Sequence, residues 1–403
     1  NPVHRAIVWQ DRRTSGRVDD LRVAGEADRI RAVTGLEVDA YFSATKLEWL
    51  LDREDRRARA AAGDLQLGTI DSWLLSHLTG RHVTDLTNAS RTMLFDIHDR
   101  RWDEALLAEF GVPGAALPSV HPSIHPTAYG ETTLDGFFDG AVPVTGVLGD
   151  QQAALFGQTC VEAGEAKTTY GTGSFVLLNT GEEPVESEHG LLTTIAYGTA
   201  DGTVRYALEG SIFVTGAAIE WLVDLGVIEA PADAEALART VEDTGGVAFV
   251  PALQGLGAPY WDPRARGTIL GLSRATDRAH VVRAALEGIA HRTRDVTDAM
   301  VADAGIPIET LRVDGGAAAN DLLCQLQADL LGTRIDRPAV TETTALGVAY
   351  AAGLAVGVWE GIPDLRAAWT PDRSFDPSVD PAAADARHDR WQAAVDRARD
   401  WAE

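Results

Sequence analysis

Asp150 stands in the run Gly149-Asp150-Gln151-Gln152-Ala153-Ala154-Leu155-Phe156-Gly157, where a carboxylate has two uses. Before it, Ala141-Val142-Pro143-Val144-Thr145-Gly146-Val147-Leu148 is short, apolar and bounded by glycine, the pattern of a buried strand. After it, Gln151 to Phe156 predict the opening of a helix. At a strand end, beside a glycine that admits a ligand, the carboxylate can accept a proton from a substrate hydroxyl. It can equally cap its helix and do nothing more. The two glutamines favour a site, because they put hydrogen-bonding amides where a core helix carries apolar side chains.

Two further stretches suit phosphate. Lys167 to Leu178 reads as two strands joined by the turn Gly171-Thr172-Gly173. Such a turn presents backbone N–H groups and a hydroxyl to an anion, or is a plain hairpin. Leu311-Arg312-Val313-Asp314 reads as a strand, and Gly315-Gly316-Ala317-Ala318-Ala319-Asn320 carries it into a helix with Leu322, Leu323, Leu326 and Leu330 on one face. Glycines before an electropositive helix end favour an anion or nucleotide. The alternative is a tight turn with Asn320 as cap, although two adjacent glycines exceed what a turn needs. The chain has no phosphate loop followed by Lys-Ser or Lys-Thr, no Gly-x-Gly-x-x-Gly, no Gly-x-Ser-x-Gly elbow and no metal-ligand spacing of His, Cys and carboxylates. One carboxylate motif and two phosphate-suited turns together point to phosphoryl transfer between two domains.

The elements that must hold these motifs divide near residue 158. Before it lies a mixed α/β region: a strand running into a charged loop over Val3 to Arg13, an aromatic loop at Tyr41-Phe42 leading into an amphipathic helix, a helix from Thr69 to Leu78, and a polar turn at Asn88 to Thr92. Gly111 to Gly140 is proline-punctuated and expected to be exposed loop. Beyond it, strands are expected at Leu191 to Ile195, Val204 to Leu208 and Val247 to Leu253, and helices at Ser211 to Val223 and Ala279 to Asp303. Ala345 to Trp359, 15 residues rich in Ala and Gly, is too short to span a bilayer and reads as a closely packed core helix.

Sixty Asp+Glu against 35 Lys+Arg give a net charge of -25, which excludes a nucleic-acid or anionic-membrane partner. That balance fits a protein kept soluble in concentrated salt; a GC-rich genome, which favours arginine, explains the choice of cation equally well. Only Lys46 and Lys167 are lysines, leaving 33 of the 35 as arginine. Cys160 and Cys324 form no paired spacing, which fits a reducing cytoplasm.

These residues identify the chain as similar to the FGGY family of carbohydrate kinases and, within it, to the glycerol kinase branch. The match rests on Ala6 to Gln10, Asp85 to Phe95, Gly149 to Gly157, Tyr170 to Phe175, Gly190 to Ile195, Gly255 to Pro263 and Val313 to Asn320, with the family signatures at Tyr41 to Asp52 and Gly267 to Glu287. The resemblance implies an α/β fold of two actin/hexokinase-like (RNase H-like) domains, each a mixed sheet flanked by helices. Residues 1–158 would be the glycerol-binding domain and residues 159–403 the nucleotide-binding one, with the site in the cleft between. It implies transfer from ATP to glycerol, giving sn-glycerol 3-phosphate in glycerol catabolism, with Asp150 as general base. Tyr41, Gln151, Trp9 and Phe175 would line glycerol, and Thr172, Gly216, Glu220, Gly316 and Asn320 would contact ATP; Glu220 stands where the family often has glutamine. Magnesium would accompany the ATP, with no residue assigned to hold it. The enzyme would be cytoplasmic and a homo-oligomer, dimer or tetramer.

The family's Asp-x-Gly-Thr-Thr-Ser-x-Arg hairpin and the Arg-Glu pair that grips glycerol have no counterpart and would lie ahead of residue 1. The first domain is therefore expected to lack part of its sheet, and this polypeptide alone to have little or no kinase activity. The loop Asp135 to Ala141 lacks the Gly-Gly-Thr-Arg and the histidine through which some relatives are regulated, so insensitivity to fructose bisphosphate and to phosphorylation is expected. The competing readings are another FGGY kinase acting on a pentulose or polyol, and a non-catalytic actin-like nucleotide-binding remnant.

Overall fold

The computed structural model describes residues 2–53, 55–132 and 139–402, so most of the loop with the regulatory expectation, residues 133–138, lies outside the described residues. A seven-stranded sheet organises the second half of the chain. Its strands are β1 (Ala166–Tyr170), β2 (Ser174–Gly181), β3 (Leu192–Gly198), β4 (Val204–Ile212), β5 (Thr310–Asp314), β6 (Arg334–Pro338) and β7 (Pro371–Phe375). They lie in the order β7-β6-β5-β1-β2-β4-β3. β5 runs parallel to both β1 and β6, and the remaining pairs are antiparallel.

Alternation along these strands sorts the two faces. Ala166, Tyr170, Val176, Leu178, Leu208, Leu311 and Val313 join one core with Val282, Leu286 and Ile289 of the 27-residue helix Arg278–Ala304. The opposite face takes the alternate residues, and Lys167, Thr169, Glu209, Ser211, Arg312 and Asp314 put polar groups there. That face packs helix α1 (Asp150–Gly157) through Leu155, Phe156 and Leu177.

Helix α2 (Thr343–Ala355) covers α1 at very short range. A Cβ on Gly347 would lie 1.8 Å from the Ala153 carbonyl oxygen, and one on Gly157 2.0 Å from that of Thr343. This close approach accounts for the Ala/Gly-rich run: only small residues let the backbones touch.

The first half holds a separate core of Leu21, Ile30, Phe42, Met93, Leu94 and Phe110, reached across by Leu192. Its described strands are short, Val83–Asp85 pairing in parallel with Ser119–His121, and Phe95–Asp96 with Arg101–Trp102. Four expectations are corrected here. Val3 to Arg13 forms no strand; it joins no sheet among the described residues, and Val8 and Trp9 are 58% and 42% exposed. Ala141 to Leu148 is extended but makes two isolated antiparallel bridges in place of a strand: Glu131 with Pro143, flanked by Thr132 N to Val142 O (2.8 Å) and Val144 N to Gly130 O (2.9 Å), and Ile124 with Gly146, flanked by His125 N to Thr145 O (3.0 Å) and Val147 N to Ser123 O (2.9 Å). Gly111 to Gly140 is not simply exposed loop: Ile124, Ala128 and Tyr129 are buried, and the Tyr129 hydroxyl donates to the Pro122 carbonyl at 2.7 Å. The helix read from Ser211 begins at Gly216, because Ser211 and Ile212 complete β4.

Candidate active site

Asp150 is the first residue of α1, with Gly149 as the cap. Its carboxylate is not the cap of its helix; it is exposed and accepts from Gln151 N at 2.8 Å and Gln151 Nε2 at 3.3 Å. The polar turn upstream fixes it there. Asp85, fully buried, caps the short helix Leu86–Ala89 by accepting from Thr87 N and Asn88 N, both at 2.9 Å. Burial lifts its pKa to about 6, against hydrogen bonds that pull the other way. The Thr87 hydroxyl donates to Asp85 at 2.7 Å and accepts from Gly149 N at 2.8 Å. One buried carboxylate therefore sets the backbone from which Asp150 projects.

The expected substrate-lining residues come together. Trp9 and Tyr41 have ring centroids 5.2 Å apart, and Trp9 and Phe175 6.2 Å in an edge-on arrangement. Burial pushes the Tyr41 hydroxyl up to about 12, opposed by Arg91 and reinforced by Glu209 and Asp150. Arg91 donates to Glu209 Oε1 at 2.7 Å, and Ser211 donates to the same oxygen at 3.2 Å. The Arg91 guanidinium lies 5.9 Å from the Tyr41 ring centroid. Burial works against its charge, but Glu209 and Tyr41 outweigh it and raise its pKa.

Both lysines of the chain belong to this region. Lys46, 5% exposed, donates to the carbonyls of Tyr41 (3.0 Å) and Trp9 (3.3 Å). Lys167, fully buried, donates to Gln151 Oε1 at 2.6 Å, Thr169 Oγ1 at 2.9 Å and Phe175 O at 3.4 Å. Burial depresses its pKa, while Asp314, Glu209 and Asp150 hold it up. Arg91, Glu209 and the two lysines went unassigned in the sequence; the scarcity of lysine was the one signal that marked Lys46 and Lys167.

The nucleotide-side residues gather at the ends of β1 and β5. Gly216 N donates to the Gly171 carbonyl at 3.0 Å, and Thr215 N and Ala217 N donate to that of Thr172 at 2.8 and 3.1 Å. The helix from Gly216 thus starts directly on the Gly-Thr-Gly turn. Gly315 has φ +84 and a Cβ there would sit 2.4 Å from the Tyr170 carbonyl, so the chain itself requires this glycine. Gly316 faces open space, with nothing within 4 Å of a Cβ, so neither the turn nor the packing around it requires a glycine there. Asn320 caps the following helix Asp321–Leu331, its Oδ1 accepting from Leu323 N at 2.9 Å. Thr172 and Glu220 are exposed, Glu220 one turn along from Gly216. Phe175 follows the turn by two residues and is tied through Lys167 and Gln151 to Asp150, which joins the two halves of the site.

Among the described residues no group of three or more His, Cys, Asp or Glu is placed to hold a metal ion. A magnesium ion carried on nucleotide phosphates needs only one or two protein carboxylates, and the exposed Asp150 meets that need. No described helix is long and apolar enough to cross a membrane.

Comparison with known proteins gives matches along the chain. Residues 1–157 match the N-terminal domain, and residues 166–356 the C-terminal domain, of the FGGY family of carbohydrate kinases. The chain is 60% identical to a glycerol kinase of Haloferax volcanii, over 100% of its own length and 81% of the relative's. It is 56% identical to that of Carboxydothermus hydrogenoformans, over 99% and 80%. Among solved structures, Plasmodium falciparum glycerol kinase with ADP superposes with a TM-score of 0.93 at 37% identity, covering 99% of this chain and 80% of that one. A Lactobacillus acidophilus xylulose kinase, at 20% identity and TM-score 0.84, covering 98% and 79%, shares the fold.

Proposed function

This chain belongs to the FGGY family of carbohydrate kinases and is an ATP-dependent kinase acting on glycerol, in which, we propose, Asp150 is the general base. Its fold is the two-domain, actin/hexokinase-like one with a helix-flanked mixed sheet. The observation that carries the mechanistic reading is the exposed Asp150 carboxylate, free of any basic partner among the described residues and joined by Gln151 and Lys167 to the strand that leaves the Gly-Thr-Gly turn.

In the proposed reaction a glycerol hydroxyl gives its proton to Asp150 while its oxygen bonds to the γ-phosphorus and the bond to the leaving ADP oxygen breaks. Trp9, Tyr41 and Phe175 wall the carbon skeleton, and Gln151 hydrogen-bonds a hydroxyl. A triol has little surface, so bonds to its hydroxyls set selectivity more than contact area does. Thr172, Gly216 and Gly316, with Glu220 and Asn320 nearby, receive the nucleotide. When bound, magnesium supplies charge neutralisation on the phosphates beside Asp150.

The domain division is taken at residues 1–158 and 159–403, in keeping with family matches that break between 157 and 166. The same reading makes the enzyme cytoplasmic, in keeping with two free, buried cysteines, and a homo-oligomer by its family resemblance. Asp150→Asn, made in the full-length gene product, tests the mechanism. It should lower kcat on glycerol by about 100-fold or more while leaving the unfolding midpoint unchanged. An undiminished kcat overturns the assignment.

A further inference from the structure

The Lys167 ammonium has three N–H donors and three oxygens within reach: Gln151 Oε1, Thr169 Oγ1 and the Phe175 carbonyl. An ammonium has no lone pair, so it takes the oxygen end of the Gln151 amide whichever way that group would otherwise turn. The other end, Nε2, then faces Asp150 Oδ2 at 3.3 Å.

We propose that Lys167 is a positioning residue for the acceptor site: by pinning Gln151 Oε1 it presents the N–H donors of that amide to Asp150 and to the reacting alcohol. This rests on the kinase reading above. It divides the work on one oxygen atom. The alcohol accepts a hydrogen bond from Gln151 and gives its own proton to Asp150, so its lone pairs and its proton do not compete for the same partner. With the amide reversed, an acceptor oxygen would lie beside the carboxylate, and two acceptors would contend for one proton.

The residue type fits the task. Three acceptors converge on one point, which suits a compact ammonium, whereas a guanidinium spreads its donors across a planar fork. In a chain with 33 arginines among its 35 Lys+Arg, lysine stands at this buried position.

The test is a double-mutant cycle in the full-length gene product with Lys167→Met, Gln151→Ala and the pair, each assayed on glycerol with saturating ATP and each followed by urea unfolding. Each single variant should lose about 10- to 100-fold in kcat/KM, and the pair no more than the worse single. Losses that multiply in the pair overturn the proposal. Gln151→Glu, which keeps an oxygen for Lys167 but has no N–H donor, should lose as much as Gln151→Ala; activity near wild type in that variant also overturns it, and this arm decides even where Lys167→Met does not fold. A wild-type enzyme that prefers a pentulose sinks the substrate reading alone, since the same cycle is then run on the preferred sugar. The unfolding arm needs no substrate: stability losses should be non-additive, and additive ones count against the contact.

Discussion

Lys46 is clasped by the carbonyls of Trp9 and Tyr41, and burial pushes its pKa down from 10.5 to about 8, with Asp11 opposing and Arg12 assisting. Between those two values the unfolded chain binds the proton more tightly than the folded one. Through this group, therefore, stability rises as pH climbs from 8 toward 10. Lys46→Met removes the effect. The difference in unfolding free energy, wild type minus variant, should move in favour of the wild type from pH 8 to 10 and stay level below pH 7; a difference level throughout rejects the shift. Such residues explain where sequence reading of the site stops. Asp150 and the two glycine turns lie in contiguous motifs whose chemistry is legible from neighbours along the chain, whereas Trp9, Tyr41 and Phe175 were placed together only by the family resemblance. Arg91 meets Glu209 across 118 positions, and Lys46 meets Trp9 across 37, so their roles exist only once the chain has folded. The diglycine shows the same limit: no sequence pattern says that the backbone requires Gly315 and that Gly316 faces open space.

At the scale of elements, the crossing of α1 and α2 is the contact on which Asp150 depends. Gly347→Ala would place a methyl carbon 1.8 Å from the Ala153 carbonyl oxygen and must separate the helices. It should cost about 2 kcal/mol or more in urea unfolding and lower kcat by roughly tenfold or more, because the carboxylate shifts with its helix. Gly16→Ala, in the helix Ser15–Val23 where a methyl meets nothing within 4 Å, should instead be neutral or stabilise by about 0.5 kcal/mol. Similar losses in the two variants would deny the crossing its special place. The Ala/Gly run, the long helix and the Gly-Thr-Gly hairpin are legible in the sequence because each satisfies its own periodicity. Ala6 to Trp9 and Ala141 to Leu148 have strand-like composition, but a strand needs a neighbour and an unbroken row of N–H groups. The first joins no neighbouring strand among the described residues, and the second meets its neighbours only at two isolated bridges, Glu131 with Pro143 and Ile124 with Gly146.

For the whole molecule the dominant quantity is the charge of -25. Unscreened, it works against the compact state, and added salt shortens the range of that repulsion. The thermal unfolding midpoint should therefore rise between dilute buffer and multimolar KCl; full stability in dilute buffer would contradict this. The two-domain architecture was readable because the stretches that resemble the FGGY family lie on both sides of the division, from Ala6 to Gln10 through Val313 to Asn320. The distribution of the cations was not, because composition counts residues without saying which lie inside. Both lysines are buried, at 5% and 0% exposure, while the outer shell carries its positive charge on arginine. The folded surface accordingly offers no ε-amine to acylating labels, aldehyde fixatives or amine-coupled supports. Lysine-directed reagents, routine for tethering other enzymes, could couple to Lys46 or Lys167 only by prising open the fold that encloses them.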